Sequence, residues 1–130
     1  GFPDAPVMTP HEAGRKLVSL AMEYDFSFFE YWASDYAGHK QNMSAACELL
    51  ENFDGVLGGL LDAWDDARGL ILLTSDHGNL EDLSTRRHTD AKVPGLVIGS
   101  KAARAKFVEG LHDLTGIAPA IKKIINLQNA

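Results

Sequence analysis

Residues 69–79 read GLILLTSDHGN, an uninterrupted apolar run that ends abruptly in polar residues. A short apolar run of this kind is typical of a strand that is buried on both faces of a parallel sheet. In open α/β sheets, ligands bind in the crevice outside the carboxyl ends of the strands. The stretch therefore predicts a central strand over 69–74, and it places the candidate chemistry in the polar residues that follow.

Further strands and helices flank this strand along the chain. The aromatic run at 26–32 predicts a buried strand, and the segment 93–99 predicts a third strand with a proline near its start. Apolar residues at helical spacing predict helices over residues 10–24, 42–66, 102–114 and 117–127. Because strands separated by helices need crossover connections, this order favours one α/β domain with a mostly parallel sheet.

Two local signals refine the helices. Thr9, Pro10 and Glu12 form the pattern of a capping box, which predicts that the first helix begins at Pro10. Gly58 and Gly59 lie inside the longest predicted helix, where each glycine costs roughly 1 kcal/mol relative to alanine. This cost predicts either a kink or close packing against a neighbouring element.

The apolar side chains on these elements predict part of the core. We expect Trp32 and Trp64 to lie in the core, and Cys47 to be a small buried residue on the apolar stripe of the longest helix. Because Cys47 is the only cysteine, the chain has neither an internal disulfide nor a zinc site built from cysteines. A reducing, cytoplasmic setting fits this cysteine usage best.

The composition is that of an ordinary soluble domain. The 130 residues are 45% hydrophobic and 23% charged, which excludes a disordered tail and a collagen-like repeat. Lys and Arg total 12 against 18 for Asp and Glu, and the formal net charge of −6 argues against nucleic acid as a partner. No apolar stretch approaches the roughly 20 residues needed to cross a bilayer, so we expect no membrane partner.

Carboxylates and histidines occur near the ends of the predicted strands. Asp35 and His39 follow the aromatic run. Asp76 and His77 directly follow the central strand, and His88 lies in the polar loop before the last strand. Neutral imidazoles and carboxylates are ligands that Zn²⁺ and Mn²⁺ accept, so these residues are candidate metal ligands if the fold brings them together.

The three groups differ in how strongly they indicate function. Taken alone, Asp35 and His39 are more often a carboxylate near a helix N-terminus and a solvent-exposed histidine. Asp76 beside His77 at a strand end favours function, because strands usually exit into Gly, Asn or Ser. A loop histidine such as His88 is a ligand in a minority of cases, and its interpretation depends on the other two groups.

Four residues beside the candidate ligands belong to the same motifs. Gly38 and Gly78 give room for the chain to turn at the two motifs. Asn79 and Thr89 follow candidate ligands, and they either orient those ligands or belong to ordinary turns.

The remaining basic candidates are weaker. Arg86 and Arg87 are candidates for binding a substrate phosphate with their forked guanidinium groups, although paired arginines on a polar loop are more often solvated. His11 and His112 fall on predicted helices with ordinary surface neighbours, and we interpret them as structural or inert.

The candidate residues lie in motifs that resemble a known family. The motifs are DYAGH at 35–39, TSDHGN at 74–79, HT at 88–89 and VP at 93–94. In this order and spacing they resemble the C-terminal part of the alkaline phosphatase superfamily of metalloenzymes, in particular its branch of cofactor-independent phosphoglycerate mutases and phosphopentomutases. The resemblance covers most of the chain, from about Thr9 to Gly99.

The resemblance implies a three-layer α/β fold with helices on both faces of the sheet and a centre of two divalent metals, Mn or Zn. The residues that match the ligands of one metal are Asp35, His39 and His88, and those that match the ligands of the other are Asp76 and His77. The implied function is phosphatase or phosphomutase chemistry on a phosphorylated small molecule, and the sequence does not choose between the two.

Two parts of the family's site have no match in this sequence. The second metal of the family also takes an aspartate from the first strand, and a Ser or Thr acts as the nucleophile. Thr9 fits a helix cap and Ser44 lies inside a helix after the first motif, so neither matches the nucleophile. We therefore expect the chain to be the C-terminal portion of a larger metalloenzyme domain and to be inactive alone.

The expected partner is an N-terminal half or another subunit that supplies the missing groups, and a homo-oligomer is a further option. The alternative interpretation is a non-catalytic α/β module that keeps the metal cluster for stability or association.

Overall fold

The computed structural model describes residues 3–128 and contains five α-helices and two β-strands in that range. The elements are α1 Pro10–Ala21, α2 Ala33–Lys40, α3 Met43–Ala63, β1 Leu70–Thr74, β2 Gly95–Gly99, α4 Lys101–Val108 and α5 Ile117–Gln128. They form two compact units. The first unit reaches to Trp64 and includes Asn79–Arg87, and the second comprises Asp65–Gly78 and the chain from His88 onward. The predicted α/β class is confirmed.

The predicted capping box begins α1. The Thr9 hydroxyl accepts a hydrogen bond from the Glu12 backbone N–H, and the Glu12 carboxylate accepts one from the Thr9 backbone N–H at 2.8 Å. This backbone bond and the bond from the Thr9 hydroxyl lower the pKa of Glu12. The helix ends at Ala21 rather than Tyr24, because Tyr24 N–H bonds to Ala21 in a tighter turn.

Close packing of α1 on α3 explains the glycines of both helices. A methyl group at Gly14 would lie 2.0 Å from the Val56 carbonyl oxygen. One at Gly59 would lie 1.9 Å from the carbonyl oxygen of His11. The two backbones therefore approach too closely for any side chain at these positions. Of the two predicted explanations for the pair Gly58 and Gly59, the structure shows close packing, and it does so at Gly59.

The predicted strand over 26–32 is wrong. Residues 26–31 form no strand, and Trp32 is the N-cap of α2. A composition rich in residues of high β-propensity is not sufficient for a strand, because a strand needs a neighbour to pair with. Within residues 3–128 only β1 and β2 form a sheet. Within this segment Tyr31 does pack, because its ring stacks on Phe53 of α3 with centroids 5.0 Å apart.

The prediction of burial is also wrong for two of the three residues that we assigned to the core. Trp32 is 75% exposed, and Cys47 is exposed on α3. Trp64, which follows α3, is half-buried. The periodicity of α3 extends around much of the helix, so it did not show which of its small residues faces the neighbouring helices.

The second unit contains the sheet. β1 and β2 pair in antiparallel orientation with Leu70 opposite Gly99 and Thr74 opposite Gly95. The strands predicted at 69–74 and 93–99 thus exist, but these two are not parallel. Residues 75–94 contain no helix, so the chain returns through a loop and needs no crossover connection.

Two helices follow the sheet in this unit. Ser100 caps α4 by accepting a hydrogen bond from Ala103 N–H. α4 ends at Val108, six positions before its predicted end, and Gly110 then adopts a positive φ of 79°. A short 3₁₀ turn over Leu114–Gly116, capped by Asp113, leads into α5.

The described residues bury few side chains fully. The buried apolar residues are Val18, Ala37, Ala46, Phe107 and Ala120. Many large apolar side chains are exposed instead, including Phe26, Phe28, Phe29 and Trp32. This surface does not form a membrane span, since none of the helices within residues 3–128 combines the necessary length and apolarity.

The close approach of α1 and α3 makes Gly59→Ala destabilising. The new methyl group would meet the His11 backbone, which cannot move aside as a flexible side chain can. Overpacking of this kind costs about 1–3 kcal/mol or more. Urea denaturation followed by circular dichroism measures the loss in the free energy of unfolding.

Gly58→Ala is the matched control on the same helix. Its methyl group would lie 3.9 Å from the His11 ring, an ordinary contact, and alanine favours the helix by up to about 1 kcal/mol. We expect this variant to be as stable as the parent chain or more stable. Equal losses in both variants would contradict the close packing.

Candidate functional site

Helix α2 carries the first pair of candidate ligands. Asp35 and His39 are four positions apart and therefore lie on one face of the helix. The distance between His39 Nε2 and Asp35 Oδ2 is 3.4 Å, and both side chains are about 40% exposed. The sequence placed this pair before a helix, whereas the structure places it within a helix of its own.

A hydrogen bond to the backbone determines which ring nitrogen of His39 carries a proton. His39 Nδ1 lies 2.7 Å from the carbonyl oxygen of Arg86. A carbonyl oxygen only accepts, so Nδ1 carries a proton. In the neutral ring, Nε2 is then an acceptor and lies 3.4 Å from an oxygen of the Asp35 carboxylate.

The two atoms are close enough for one cation to contact both of them. Imidazole nitrogen and carboxylate oxygen are the donor types that Zn²⁺ and Mn²⁺ accept, and a metal-bound histidine commonly donates its other N–H to a backbone carbonyl. The residues present therefore fit a divalent metal.

A buried amide holds the Asp35 carboxylate. Asn79 Nδ2 donates a hydrogen bond of 2.7 Å to Asp35 Oδ1, and Asn79 is 8% exposed. The Asn79 backbone N–H donates to the Glu81 carboxylate at 2.7 Å. A methyl group at Gly38 would lie 1.4 Å from Asn79 Oδ1, so the glycine makes room for the amide.

The loop over Asn79–Arg87 packs on the end of α2 through Gln41. Gln41 Nε2 donates to the Leu83 carbonyl at 3.1 Å, and Gln41 Oε1 accepts from Arg86 Nε at 3.0 Å. Sequence reasoning missed Gln41, because nothing in its residue type indicates a site. Helix α2, which Gln41 caps, was not predicted either, so the position of Gln41 gave no signal.

The same loop contains local turns that fix its shape. Ser84 donates to Asp82 Oδ1 from its backbone N–H at 2.9 Å. Hydrogen bonds from Ser84, first from the hydroxyl and then from the backbone, lower the pKa of Asp82. Arg87 is exposed, and its backbone N–H donates to the Thr85 hydroxyl at 3.0 Å.

The second unit holds the other candidate ligands. Asp76 and His77 follow β1 as predicted, and His77 Nε2 lies 3.6 Å from Asp76 Oδ1. The Asp76 side chain is 87% exposed, whereas that of His77 is 30% exposed. The ring of His77 stacks on that of His88, with centroids 3.6 Å apart and planes inclined by 14°.

A backbone bridge brings the two histidine segments of this unit together. Thr89 N–H donates to the Gly78 carbonyl at 3.0 Å, and the two residues form an isolated antiparallel bridge. Gly78 is buried and Thr89 is half-buried. The structure thus gives Gly78 and Thr89 a backbone role in aligning His77 with His88.

The other histidines lie apart from these groups. His11 Nε2 lies 2.9 Å from Asp62 Oδ2, a contact that links α1 to α3. His112 is exposed in the turn after α4. His11 thus has a structural contact, as expected.

Comparisons with known proteins find similar sequences over nearly the whole chain. A family model described as the Metalloenzyme superfamily matches residues 4–129. The chain is also similar to proteins named 2,3-bisphosphoglycerate-independent phosphoglycerate mutase. It is 27% identical to that of Moorella thermoacetica, 32% to that of Yersinia pestis strain Pestoides F and 30% to that of Pseudomonas fluorescens.

These alignments cover 98%, 95% and 94% of this chain, but 26%, 25% and 25% of the three proteins in the same order. The chain therefore spans about a quarter of the length of the curated relatives that it matches. No solved structure gives a significant match.

The contact between Gly38 and Asn79 predicts the effect of Gly38→Ala. The methyl group would displace the Asn79 amide from Asp35, which leaves a buried amide without its partner. The expected loss in the free energy of unfolding is about 1–3 kcal/mol. Urea denaturation measures the loss, and the chemical shift of the Asn79 side-chain amide reports the broken bond.

Gly95→Ala in β2 is the control, since a methyl group there meets nothing within 4 Å. We expect it to change neither the stability nor the amide shift of Asn79. An unshifted Asn79 amide in Gly38→Ala would contradict the role assigned to the glycine.

Proposed function

Because the chain belongs to the metalloenzyme superfamily, we propose that it is the metal-binding portion of a phosphatase or phosphomutase that acts on phosphate esters. The name of the relatives, phosphoglycerate mutase, favours a small phosphorylated molecule as the substrate. The lone cysteine favours a cytoplasmic setting.

The observation that carries the proposal is the hydrogen bond between His39 Nδ1 and the carbonyl of Arg86. The Arg86 carbonyl accepts a hydrogen bond of 2.7 Å from His39 Nδ1–H, which leaves Nε2 as an acceptor beside the Asp35 carboxylate. A histidine on a solvent-exposed helix face has no need of this arrangement. A metal ligand does, because the bond orients the ring and raises its basicity.

We assign His88 to the same metal as Asp35 and His39. The match of these three residues to the ligands of one metal in the family's motif supports this assignment.

We assign the second metal to Asp76 and His77. Asp76 is widely exposed and so is available to a ligand, and His77 is oriented by its stacking on His88. Manganese and zinc both accept this set of nitrogen and oxygen ligands, and either ion fits the proposal. The second metal of the family takes a further aspartate, which we place outside these residues together with the Ser or Thr nucleophile.

In the complete site, the bound metals would activate the nucleophile and neutralise charge on the phosphate. The residues of this chain prepare the site in defined ways. Asn79 holds one oxygen of Asp35 and leaves the other oxygen toward His39. Arg87 is exposed and free to reach a substrate phosphate, whereas the Nε of Arg86 is already bonded to Gln41.

The complete fold is proposed to be the three-layer, mostly parallel sheet of the superfamily. The antiparallel pair of β1 and β2 would then form one part of a larger sheet. The exposed side chains of Phe26, Phe28 and Phe29 support this proposal, because large apolar side chains grouped at a surface are typical of a face that another element covers.

The ligand assignment predicts selective loss of metal binding. In a Mn²⁺ titration of the chain by isothermal calorimetry at pH 7.5, we expect binding that His39→Ala and His88→Ala abolish. The loss should exceed the roughly 10- to 100-fold weakening that follows removal of an outer partner of a ligand.

His112→Ala is the matched control, because His112 is an exposed histidine distant in sequence from the motifs. It should bind Mn²⁺ like the parent chain. Unchanged binding in His88→Ala would overturn the assignment of His88, and no binding by the parent chain would overturn the proposed metal centre.

The placement of the nucleophile outside these residues predicts an inactive chain. The purified chain with Mn²⁺ should not release phosphate from p-nitrophenyl phosphate or 3-phosphoglycerate above the rate without protein. Phosphate release that Asp76→Asn abolishes would show that the chain carries its own nucleophile, and that part of the proposal would be wrong.

A further inference from the structure

Gln41 occupies an unusual place at the end of α2. It is the C-cap of the helix and adopts a left-handed conformation with φ 56° and ψ 33°. Within the described range it is the one residue other than glycine with a positive φ. Glycine is the usual residue at such a position because it adopts this conformation without strain. A glutamine at this position is explained if its side chain makes contacts that glycine does not make.

Both ends of the Gln41 amide are engaged by the loop. Nε2 donates to the Leu83 carbonyl at 3.1 Å, and Oε1 accepts from Arg86 Nε at 3.0 Å. The amide thus bridges two points of the loop that are three residues apart. We call this pair of bonds, from Gln41 to Leu83 and to Arg86, the amide clamp.

The clamp acts on the residue that contacts His39. Arg86 is attached to the end of α2 twice, through its side chain to Gln41 and through its carbonyl to His39 Nδ1 at 2.7 Å. His39 is 40% exposed, so water competes for its ring nitrogens. The clamp therefore helps the Arg86 carbonyl to compete with water for the ring.

We propose that Gln41 is a positioning residue that selects the tautomer of His39. By holding Arg86 in place, the clamp keeps the proton on Nδ1 and leaves Nε2 as the atom that binds the metal. The inference rests on the proposed metal centre for its purpose, but the tautomer itself is a property of the metal-free chain. The end of α2 thereby links the conformation of the loop to the availability of His39 Nε2 for the metal.

Gln41→Gly tests the proposal without disturbing the helix end. Glycine accepts the left-handed conformation, so the variant removes both bonds of the clamp while it keeps the cap of α2. Its free energy of unfolding by urea denaturation should stay close to that of the parent chain. A merely structural role for Gln41 would instead appear as lost stability.

The first readout is the tautomer of His39 in the metal-free chain. Long-range ¹H–¹⁵N correlation spectra at alkaline pH distinguish a protonated Nδ1 from a protonated Nε2. We expect the parent chain to show the proton on Nδ1, and Gln41→Gly to show a mixture of the two forms. A parent chain with the proton on Nε2 would overturn the proposal.

The second readout is the affinity for Mn²⁺, measured by calorimetry and by the loss of the signal of free Mn²⁺ in electron paramagnetic resonance. Loss of an outer partner of a ligand typically weakens metal binding about 10- to 100-fold, and we expect Gln41→Gly to fall in that range. Asn52→Ala on α3 is the control, since it removes one side-chain hydrogen bond, to Glu48, away from the clamp.

Two more variants keep the test sharp. Arg86→Ala breaks the clamp from the loop side and should weaken Mn²⁺ binding similarly, and its combination with Gln41→Gly should add little to either change. Gln41→Glu retains an acceptor for Arg86 and should restore most of the parent tautomer and affinity.

The outcomes separate the two proposals. A parent chain that binds no Mn²⁺ would overturn the metal centre, and the tautomer spectra would still decide the role of Gln41. An unchanged tautomer and unchanged affinity in Gln41→Gly and Arg86→Ala would overturn the positioning role and leave the metal centre intact. Should Gln41→Gly fail to fold, Arg86→Ala supplies the same two readouts, because it also removes the bond between Gln41 and Arg86.

Discussion

The hydrogen bond between His39 Nδ1 and the Arg86 carbonyl is the constraint on which the candidate site depends. It joins α2 to a loop that comes more than 40 residues later in the chain. The chain leaves the first unit at Trp64 and returns to it at Asn79. On its return it brings Asn79 to the carboxylate of Asp35 as well. Both candidate ligands of α2 thus form a hydrogen bond with a segment that is distant in the chain.

Sequence reasoning was most successful where the signal is local. The capping box at Thr9, the glycine pair at 58–59 and the apolar run at 69–74 each reflect a contact made within a few residues or a strong backbone requirement. It failed where the outcome depends on a partner. The composition of 26–32 favours a strand, yet it does not say what the strand would pair with.

For the candidate site, the sequence predicted the residues but not the hydrogen bonds that orient them. The motifs identified Asp35, His39, Asp76, His77 and His88 as residues of interest, since their chemistry is visible in their residue types. The hydrogen bonds that orient them were not visible. The contact to His39 comes from a backbone carbonyl, which every residue has, and Gln41 acts through a left-handed conformation that its residue type does not suggest.

The glycine contact between α1 and α3 closes a long loop of the chain. Gly14 and Gly59 bring together two segments whose connection includes all of α2. Closing this loop costs chain entropy, and the packing of the two backbones offsets that cost. Asp35 and His39 lie within the closed loop, so two glycines outside the candidate site reduce the chain entropy available to its residues in α2.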